Sequence, residues 1–174
     1  SVASTKAYSV QLSIMYLLAF EMAYAKGKIT EEECRRYTAM LKEIPDKLSG
    51  VLEMKERCQF IASRLINSDS LLYIGRGLDY ALSMEGSLKL KEISYIHSES
   101  YAAGELKHGT ISLISEDTPV IAVATQSDLL EKTVNNIKEV KSRGAKVIVI
   151  CDENFTEDKS VANHLVTLPK VDDI

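Results

Sequence analysis

The sequence predicts an α/β protein with a three-layer, doubly wound parallel sheet that is preceded by a helical segment. Four short segments in the later part of the chain are almost continuously apolar, and segments with helical spacing of apolar residues lie among them. Strands that are buried on both faces have this unbroken pattern, whereas strands with one solvated face alternate. Three helical segments come before the first of these strands, so we expect a helical region ahead of the sheet.

The helical region begins with residues 5–25, whose apolar side chains recur at helical spacing. Ser4 is placed as the N-cap and Gly27 as the stop signal. The apolar run at residues 14–20 imitates part of a secretory signal, but its seven residues are far fewer than the roughly 20 that a membrane span needs. We therefore interpret residues 5–25 as a buried amphipathic helix.

Two further helical segments complete this region. Thr30 and Glu33 match a capping box and start the second helix, which we expect Pro45 to end. The third helical segment covers residues 47–66.

The first strand is predicted at residues 71–74 and is closed by the tight turn Gly75-Arg76-Gly77. A helix at 79–96 and a loop with Gly104 and His108 follow it. The remaining elements are a strand at 119–124, a helix at 129–143 stopped by Gly144, and strands at 146–151 and 164–168. Ligands of parallel sheets bind beyond the carboxyl ends of the strands, here near residues 75–77, 125–128 and 152–156.

Composition narrows the class of partner. The 174 residues are 45% hydrophobic, which allows one substantial core, and they carry 21 Lys and Arg against 25 Asp and Glu, a formal charge of -4. We expect no basic face for nucleic acid or for a membrane surface, so small molecules or proteins are the favoured partners. Cys34, Cys58 and Cys151 lack metal-ligand spacing, which indicates reduced thiols in a cytoplasmic protein rather than a disulfide framework or a metal site.

The candidate catalytic residues lie in residues 85–109. Glu85, Lys89 and Glu92 are spaced at i, i+4 and i+7, so a helix projects them from one face as a column of carboxylate, ammonium and carboxylate. The loop that follows carries His108. Two carboxylates, an amine and an imidazole can move protons near neutral pH when burial or neighbouring charge tunes them.

Each motif also has a plain structural interpretation. The charged column could be a solvated ladder worth a few tenths of a kcal/mol, although the apolar residues around it favour partial burial. The turn at residues 75–77 could offer backbone N–H groups to a nucleotide phosphate, but it lacks the third glycine of the dinucleotide fingerprint. Ser4 suits a phosphate or a simple N-cap, and we interpret His97 and His164 as structural.

The stretch from Glu85 to Gly109, together with Val2-Ala3-Ser4-Thr5-Lys6-Ala7, closely resembles the isomerase region of the glutamine–fructose-6-phosphate aminotransferase family, the glucosamine-6-phosphate synthases. The similarity runs through essentially the whole chain. A member of this family looks like a glutaminase domain joined to two sugar isomerase (SIS) subdomains, each a parallel sheet flanked by helices. The resemblance implies that residues 1–45 are the tail of the first subdomain and that residues 46–174 form most of the second.

The resemblance also implies a reaction. In the family, ammonia from glutamine is added to fructose-6-phosphate, and the resulting imine is isomerised to glucosamine-6-phosphate without a metal or organic cofactor. By motif position, Glu92 resembles the base that moves a proton between C1 and C2, and His108 resembles the group that assists ring opening. Lys89 and Glu85 resemble groups that tune and position the base.

Further implications concern binding, assembly and completeness. Val2, Ala3 and Ser4 match a segment that contacts the sugar phosphate, and the family pattern implies a homodimer in which the His108 loop reaches the neighbouring subunit's site. The chain departs from the family in having no N-terminal cysteine nucleophile, no Ser/Thr-rich phosphate loop and no C-terminal lysine, and Thr110 stands where many relatives have proline. We therefore expect this polypeptide alone not to catalyse amino transfer.

Two other functions stay open at this point. The first is a regulatory SIS domain that binds a sugar phosphate without catalysis and has no need of Glu92 or His108. The second is a related SIS enzyme that acts on another phosphosugar as a deaminase or deglycase.

Overall fold

A computed structural model describes residues 3–153, 155–156 and 159–171. The chain divides into two compact units, the first ending at Glu53 and joined by Val171, the second running from Met54 to Lys170. Among the described residues, none of the helices combines the length and the apolar character that a membrane span requires.

The first unit contains two helices, α1 (Thr5–Ala25) and α2 (Glu31–Leu52). They pack through Phe20, whose ring centroid lies 6.1 Å from that of Tyr16 in α1 and 5.3 Å from that of Tyr37 in α2. The predicted capping box at the start of α2 is present, because the Thr30 hydroxyl accepts from the backbone N–H of Glu33 while the Glu33 carboxylate accepts from that of Thr30. Hydrogen bonding within this box lowers the pKa of Glu33.

The prediction that Pro45 ends the second helix is wrong, because Pro45 lies inside α2, which continues to Leu52. A proline in a helix removes one backbone donor and costs about 3 kcal/mol relative to alanine. A helix of 22 residues keeps its hydrogen bonds on either side of that position. As a result, the third helix is shorter than the predicted 47–66 and spans only Lys55–Ser63 (α3).

The second unit is a parallel sheet with helices on both faces, as the continuously apolar strands predict. After α3 the elements are β1 (Ser70–Gly75), α4 (Gly77–Ser94), β2 (His97–Ala102), β3 (Pro119–Ala124), α5 (Leu130–Ser142), β4 (Lys146–Asp152) and β5 (His164–Leu168). The strand order is β2-β1-β3-β4-β5, and every neighbouring pair is parallel. The predicted fold class is therefore confirmed.

Strand β2 was not predicted from the sequence. It is short, polar and paired with β1 alone, so it has neither the unbroken apolar pattern of the central strands nor a clean alternation. Its presence ends α4 at Ser94, two residues before the predicted end, where Tyr95 adopts a left-handed conformation with φ 61°. The segment after β2 forms two short 3-10 turns, Ala103–His108 and Thr110–Leu113.

The main hydrophobic core lies on the face of the sheet that α5 covers. Leu72 and Ile74 of β1 belong to this core together with Ile137 and Val140 of α5. Successive residues of a strand point to opposite faces, so Tyr73 points the other way, toward α4, where its ring lies 3.0 Å from the position that a Cβ at Gly86 would occupy. Helices α4 and α5 thus cover opposite faces of the sheet.

Candidate active site

The three charged residues of the predicted column form a continuous ion-pair group on α4. The Lys89 Nζ atom lies 2.8 Å from Glu92 Oε2 and 3.5 Å from Glu85 Oε1. Their side chains are partly buried, with 16% of Lys89, 20% of Glu85 and 27% of Glu92 exposed. This exposure differs from that of a solvated surface ladder such as Glu31–Arg35 on α2, where 60% and 79% of the side chains are exposed.

The electrostatics of the column keep Lys89 charged. Its hydrogen bond to Glu92 raises the pKa of the ammonium, and the charges of Glu92 and Glu85 act in the same direction, against the smaller opposing effect of partial burial. One ammonium is shared between two carboxylates, so the group carries one excess negative charge when all three are ionised. A carboxylate held by a fixed ammonium can accept a proton from a carbon atom of a substrate and return it.

Small side chains bring α4 close to the sheet beneath the column. Ser83 and Ser87 are buried on the inner face of α4, and the Ser98 hydroxyl of β2 donates to the Ser87 hydroxyl at 2.9 Å. The ring of Tyr73 packs against Gly86, and burial raises the pKa of its phenol. The helix therefore rests on the sheet through its serine and glycine positions, and the column lies on a partly buried flank of α4.

His108 lies at the end of the 3-10 turn Ala103–His108, and its side chain is 76% exposed. Ala103 and Leu106 are fully buried in the core on the α5 face, which fixes the turn there. The imidazole Nε2 lies 3.9 Å from Oε2 of Glu105. Because α4 covers the other face of the sheet, one copy of the chain does not bring His108 to the column.

The candidate substrate-binding segment lies in the first unit. Val2 is outside the described residues. Ser4 is exposed at the N-cap position of α1, where its carbonyl accepts from the Tyr8 N–H while its hydroxyl makes no capping hydrogen bond. Ala3 is partly buried.

The turn at the end of β1 is closed by the chain itself. The side-chain oxygen of Gln126, in the loop after β3, accepts from the backbone N–H groups of Leu78 at 2.6 Å and Asp79 at 3.3 Å. The buried Asp79 carboxylate in return accepts from Thr125 N at 2.9 Å, Thr125 Oγ1 at 2.5 Å and Gln126 N at 3.3 Å. The donors that a nucleotide phosphate would need at the start of α4 are thus already bonded, which disfavours the nucleotide interpretation of Gly75–Gly77.

A cavity of about 330 Å³ lies elsewhere, at the amino ends of β3, β4 and β5. None of the predicted site residues lines it. Its lining residues are Arg64, Leu65, Ser68, Asp117, Pro119, Lys146, Ile148, Asn163 and His164. Within the described part of the chain, no group of three or more His, Cys, Asp or Glu side chains is arranged to hold a metal ion.

Comparison with known proteins identifies relatives of the whole chain. The SIS domain family profile matches residues 64–174. The chain is 50% identical over 169 residues to a glutamine–fructose-6-phosphate aminotransferase (isomerizing) of Caldanaerobacter subterraneus, covering 97% of this chain and 28% of that protein. It is 49% identical over 174 residues to the protein of the same name from Clostridium acetobutylicum, covering all of this chain and 29% of the relative.

A solved structure shares the fold over almost the whole of this chain. The C-terminal domain of glucosamine-fructose-6-phosphate aminotransferase from Francisella tularensis superposes with a TM-score of 0.93 at 35% identity, covering 98% of this chain and 49% of that domain. The chain thus spans a little more than a quarter of the length of its curated relatives and about half of the solved domain.

Proposed function

This chain belongs to the SIS domain family, and from that membership we propose that it is part of the isomerase region of a glutamine–fructose-6-phosphate aminotransferase. The identity of about half of all residues to proteins of that name supports the proposal. The observation that carries it is the half-buried Glu85-Lys89-Glu92 group on α4.

The proposed reaction is the isomerisation of the imine formed from fructose-6-phosphate and ammonia. Glu92 removes a proton from C1, the C1–H electrons form a C1=C2 double bond, and the former C=N electrons move to nitrogen, which takes up a proton to become the amino group. A proton is then delivered to C2, and the C1 hydroxyl loses its proton as the C1 aldehyde forms. The product is glucosamine-6-phosphate, with the same atoms as the imine.

The other residues prepare this step. Lys89, 2.8 Å from Glu92, holds the carboxylate in one orientation, and Glu85 holds the other side of the ammonium. His108 opens the sugar ring by donating a proton to the ring oxygen, which suits an imidazole near neutral pH. Ala3 and Ser4 contact the sugar phosphate, with the Ser4 hydroxyl as a donor.

The functional assembly in this proposal is a homodimer. His108 and the column lie on opposite faces of the sheet of one copy, so the proposed site takes its imidazole from a second copy. A homodimer with twofold symmetry forms two such sites. The three cysteines are unpaired, which supports a cytoplasmic location.

The proposed activity is tested in a chimaera in which this chain replaces the matching region of the Clostridium acetobutylicum relative. Formation of glucosamine-6-phosphate from glutamine and fructose-6-phosphate is expected, and Glu92→Gln is expected to lower its rate by at least about 100-fold. Glu131→Gln, on the exposed side of α5, is the matched control. Turnover of the phosphosugar without incorporation of nitrogen from glutamine would favour the deaminase or deglycase alternative. Binding without turnover would favour the regulatory one.

Mixing two inactive variants tests the shared site. Glu92→Gln and His108→Ala chimaeras are unfolded and refolded together, so that about half of the dimers contain one chain of each kind. Each mixed dimer then has one intact site of two, and about a quarter of the wild-type activity should return. Activity no higher than that of the separate variants would contradict a site shared between copies.

A further inference from the structure

A chain of polar contacts runs from the start of α4 to the residue before His108. Arg76 occupies the N-cap position of α4, and its Nε donates to Asn136 Oδ1 of α5 at 3.0 Å. Asn136 is 5% exposed, and its Nδ2 donates to Glu139 Oε2 at 3.4 Å. Glu139 Oε1 in turn pairs with the Lys107 ammonium at 2.5 Å.

The same arginine lies directly under the loop backbone. A Cβ at Gly104 would lie 2.9 Å from Arg76 Nη2 and 3.2 Å from both Cζ and Nη1. The distance to Nη2 is shorter than real Cβ contacts, so the backbone at Gly104 can lie against the guanidinium because residue 104 has no side chain, and an alanine there would displace the guanidinium. The loop is therefore held to Arg76 at Gly104 and, through Asn136 and Glu139, at Lys107.

We propose that Arg76 is a positioning residue that fixes where the His108 loop leaves the fold. The guanidinium is planar and rigid, and it can support Gly104 with its face while Nε donates to Asn136, which a flexible lysine cannot do. Arg76 acts on the reaction through His108 without touching the substrate. The inference rests on the function proposed above, because the position of the His108 imidazole matters for catalysis only if His108 takes part in that reaction.

The proposal is tested by a double-mutant cycle on this chain. Histidine ring resonances are followed by NMR, with His108 identified by the peak lost in His108→Gln, and amide exchange is measured over residues 104–109. Gly104→Ala is expected to shift the His108 resonance and to lower amide protection about tenfold, and Arg76→Ala should act in the same direction. The double variant should show less than the sum of the two effects, because removal of the guanidinium makes room for the new Cβ.

Controls separate positioning from general damage. His97 and His164 should keep their resonances, since a loss of global structure would move all three histidines. Gly50→Ala, where a Cβ meets nothing within 4 Å, should leave His108 unchanged, and Arg76→Lys should restore charge without restoring the His108 resonance. Additive effects in the cycle, or an unchanged His108 in Arg76→Ala, would overturn the proposal.

Two arrangements keep the test decisive. If Gly104→Ala does not fold, the pair Arg76→Lys and Lys107→Met addresses the other anchor of the loop, where non-additive effects on His108 support the proposal and additive effects reject it. In the active chimaera, Arg76→Lys should lower kcat with little change in KM. If the chimaera is inactive, the proposed function fails, while the NMR cycle still decides whether Arg76 positions the loop.

Discussion

Lys89 is the residue on which the candidate site depends electrostatically, because its single ammonium pairs with two neighbouring carboxylates. Its folded pKa is raised above 10.5 by the hydrogen bond to Glu92. A group with a raised folded pKa stabilises the fold fully below its unfolded pKa and loses that contribution as the pH rises through the folded value. The stability supplied by the column should therefore be constant near neutral pH and decline above about pH 10.5.

This prediction is measured as the difference in unfolding free energy between the wild type and Lys89→Met, by urea titration from pH 8 to 11.5. The difference should favour the wild type at pH 8 and shrink at the alkaline end. Lys132→Met, on the exposed side of α5, should show no such change. A wild-type advantage that persists unchanged to pH 11.5 would contradict the assigned role of the ion pairs.

Thr110 provides a second test at the residue scale. Its hydroxyl oxygen is buried and makes no hydrogen bond. Thr110→Val removes a buried unpaired polar group at nearly constant volume and should stabilise the protein by about 1 kcal/mol. The matched control is Thr118→Val, which should destabilise, because the Thr118 hydroxyl accepts from Ser115 N at 3.0 Å and lies 3.1 Å from the Ser115 hydroxyl. Equal effects of the two variants in thermal unfolding would reject this reasoning.

At the scale of elements, the junction between β1 and α4 should be among the least tolerant positions in the sheet unit. Gly77 has φ +53°, and a Cβ there would lie 2.6 Å from Gln126 Oε1, the atom that caps α4. Gly77→Ala therefore strains the backbone, because alanine disfavours a left-handed conformation. It also causes a steric clash with Gln126 and the loss of the two hydrogen bonds that Gln126 accepts from the start of α4.

Gly27 separates these costs experimentally. It has a similar φ of +61°, and nothing lies within 4 Å of its potential Cβ, so Gly27→Ala should cost only about 1 to 2 kcal/mol of backbone strain. Gly77→Ala should cost at least about 2 kcal/mol more than that. The comparison is made by urea unfolding followed by far-UV circular dichroism. Equal costs would show that Gln126 does not hold the start of α4.

Considering the whole molecule, the sequence predicts what depends on local periodicity. The column was predictable because positions 85, 89 and 92 share one face of any helix, and the central strands were predictable because both of their faces are buried. The reciprocal hydrogen bonds between Asp79 and Gln126 were not predictable, since the two residues are 47 positions apart in sequence. The side of the sheet on which His108 lies depends on β2, whose polar sequence gave no strand signal. The roles of Glu92, His108, Val2, Ala3 and Ser4 and the domain boundary at residue 45 stay predictions.

The exposed apolar surface of α1 predicts that the whole chain self-associates in solution. The expectation of a buried helix at residues 5–25 is wrong in this chain, because eight of the large apolar side chains of α1 are 40% or more exposed: Val10, Leu12, Ile14, Met15, Leu17, Leu18, Met22 and Tyr24. Exposed apolar surface of this extent drives association, so the chain should self-associate at micromolar concentration in sedimentation velocity experiments. Leu18→Lys should shift the distribution toward the monomer, and Gln11→Lys, at an exposed polar position of the same helix, should not. A monomeric wild type would contradict the prediction.

The polar sequence of β2 has a consequence for the resistance of the protein to aggregation. This strand is outermost in the sheet, beside β1, and an outer strand offers its remaining main-chain groups to any extended peptide that approaches. His97 and Glu99 lie 3.8 Å apart there, with 67% and 45% of their side chains exposed. If β2 of a second copy paired with this strand, His97 and Glu99 of the two copies would come together and lose their contact with water, which is unfavourable for ionisable groups. The polar residues that made β2 hard to predict from the sequence therefore also protect the protein against aggregation through its sheet edge.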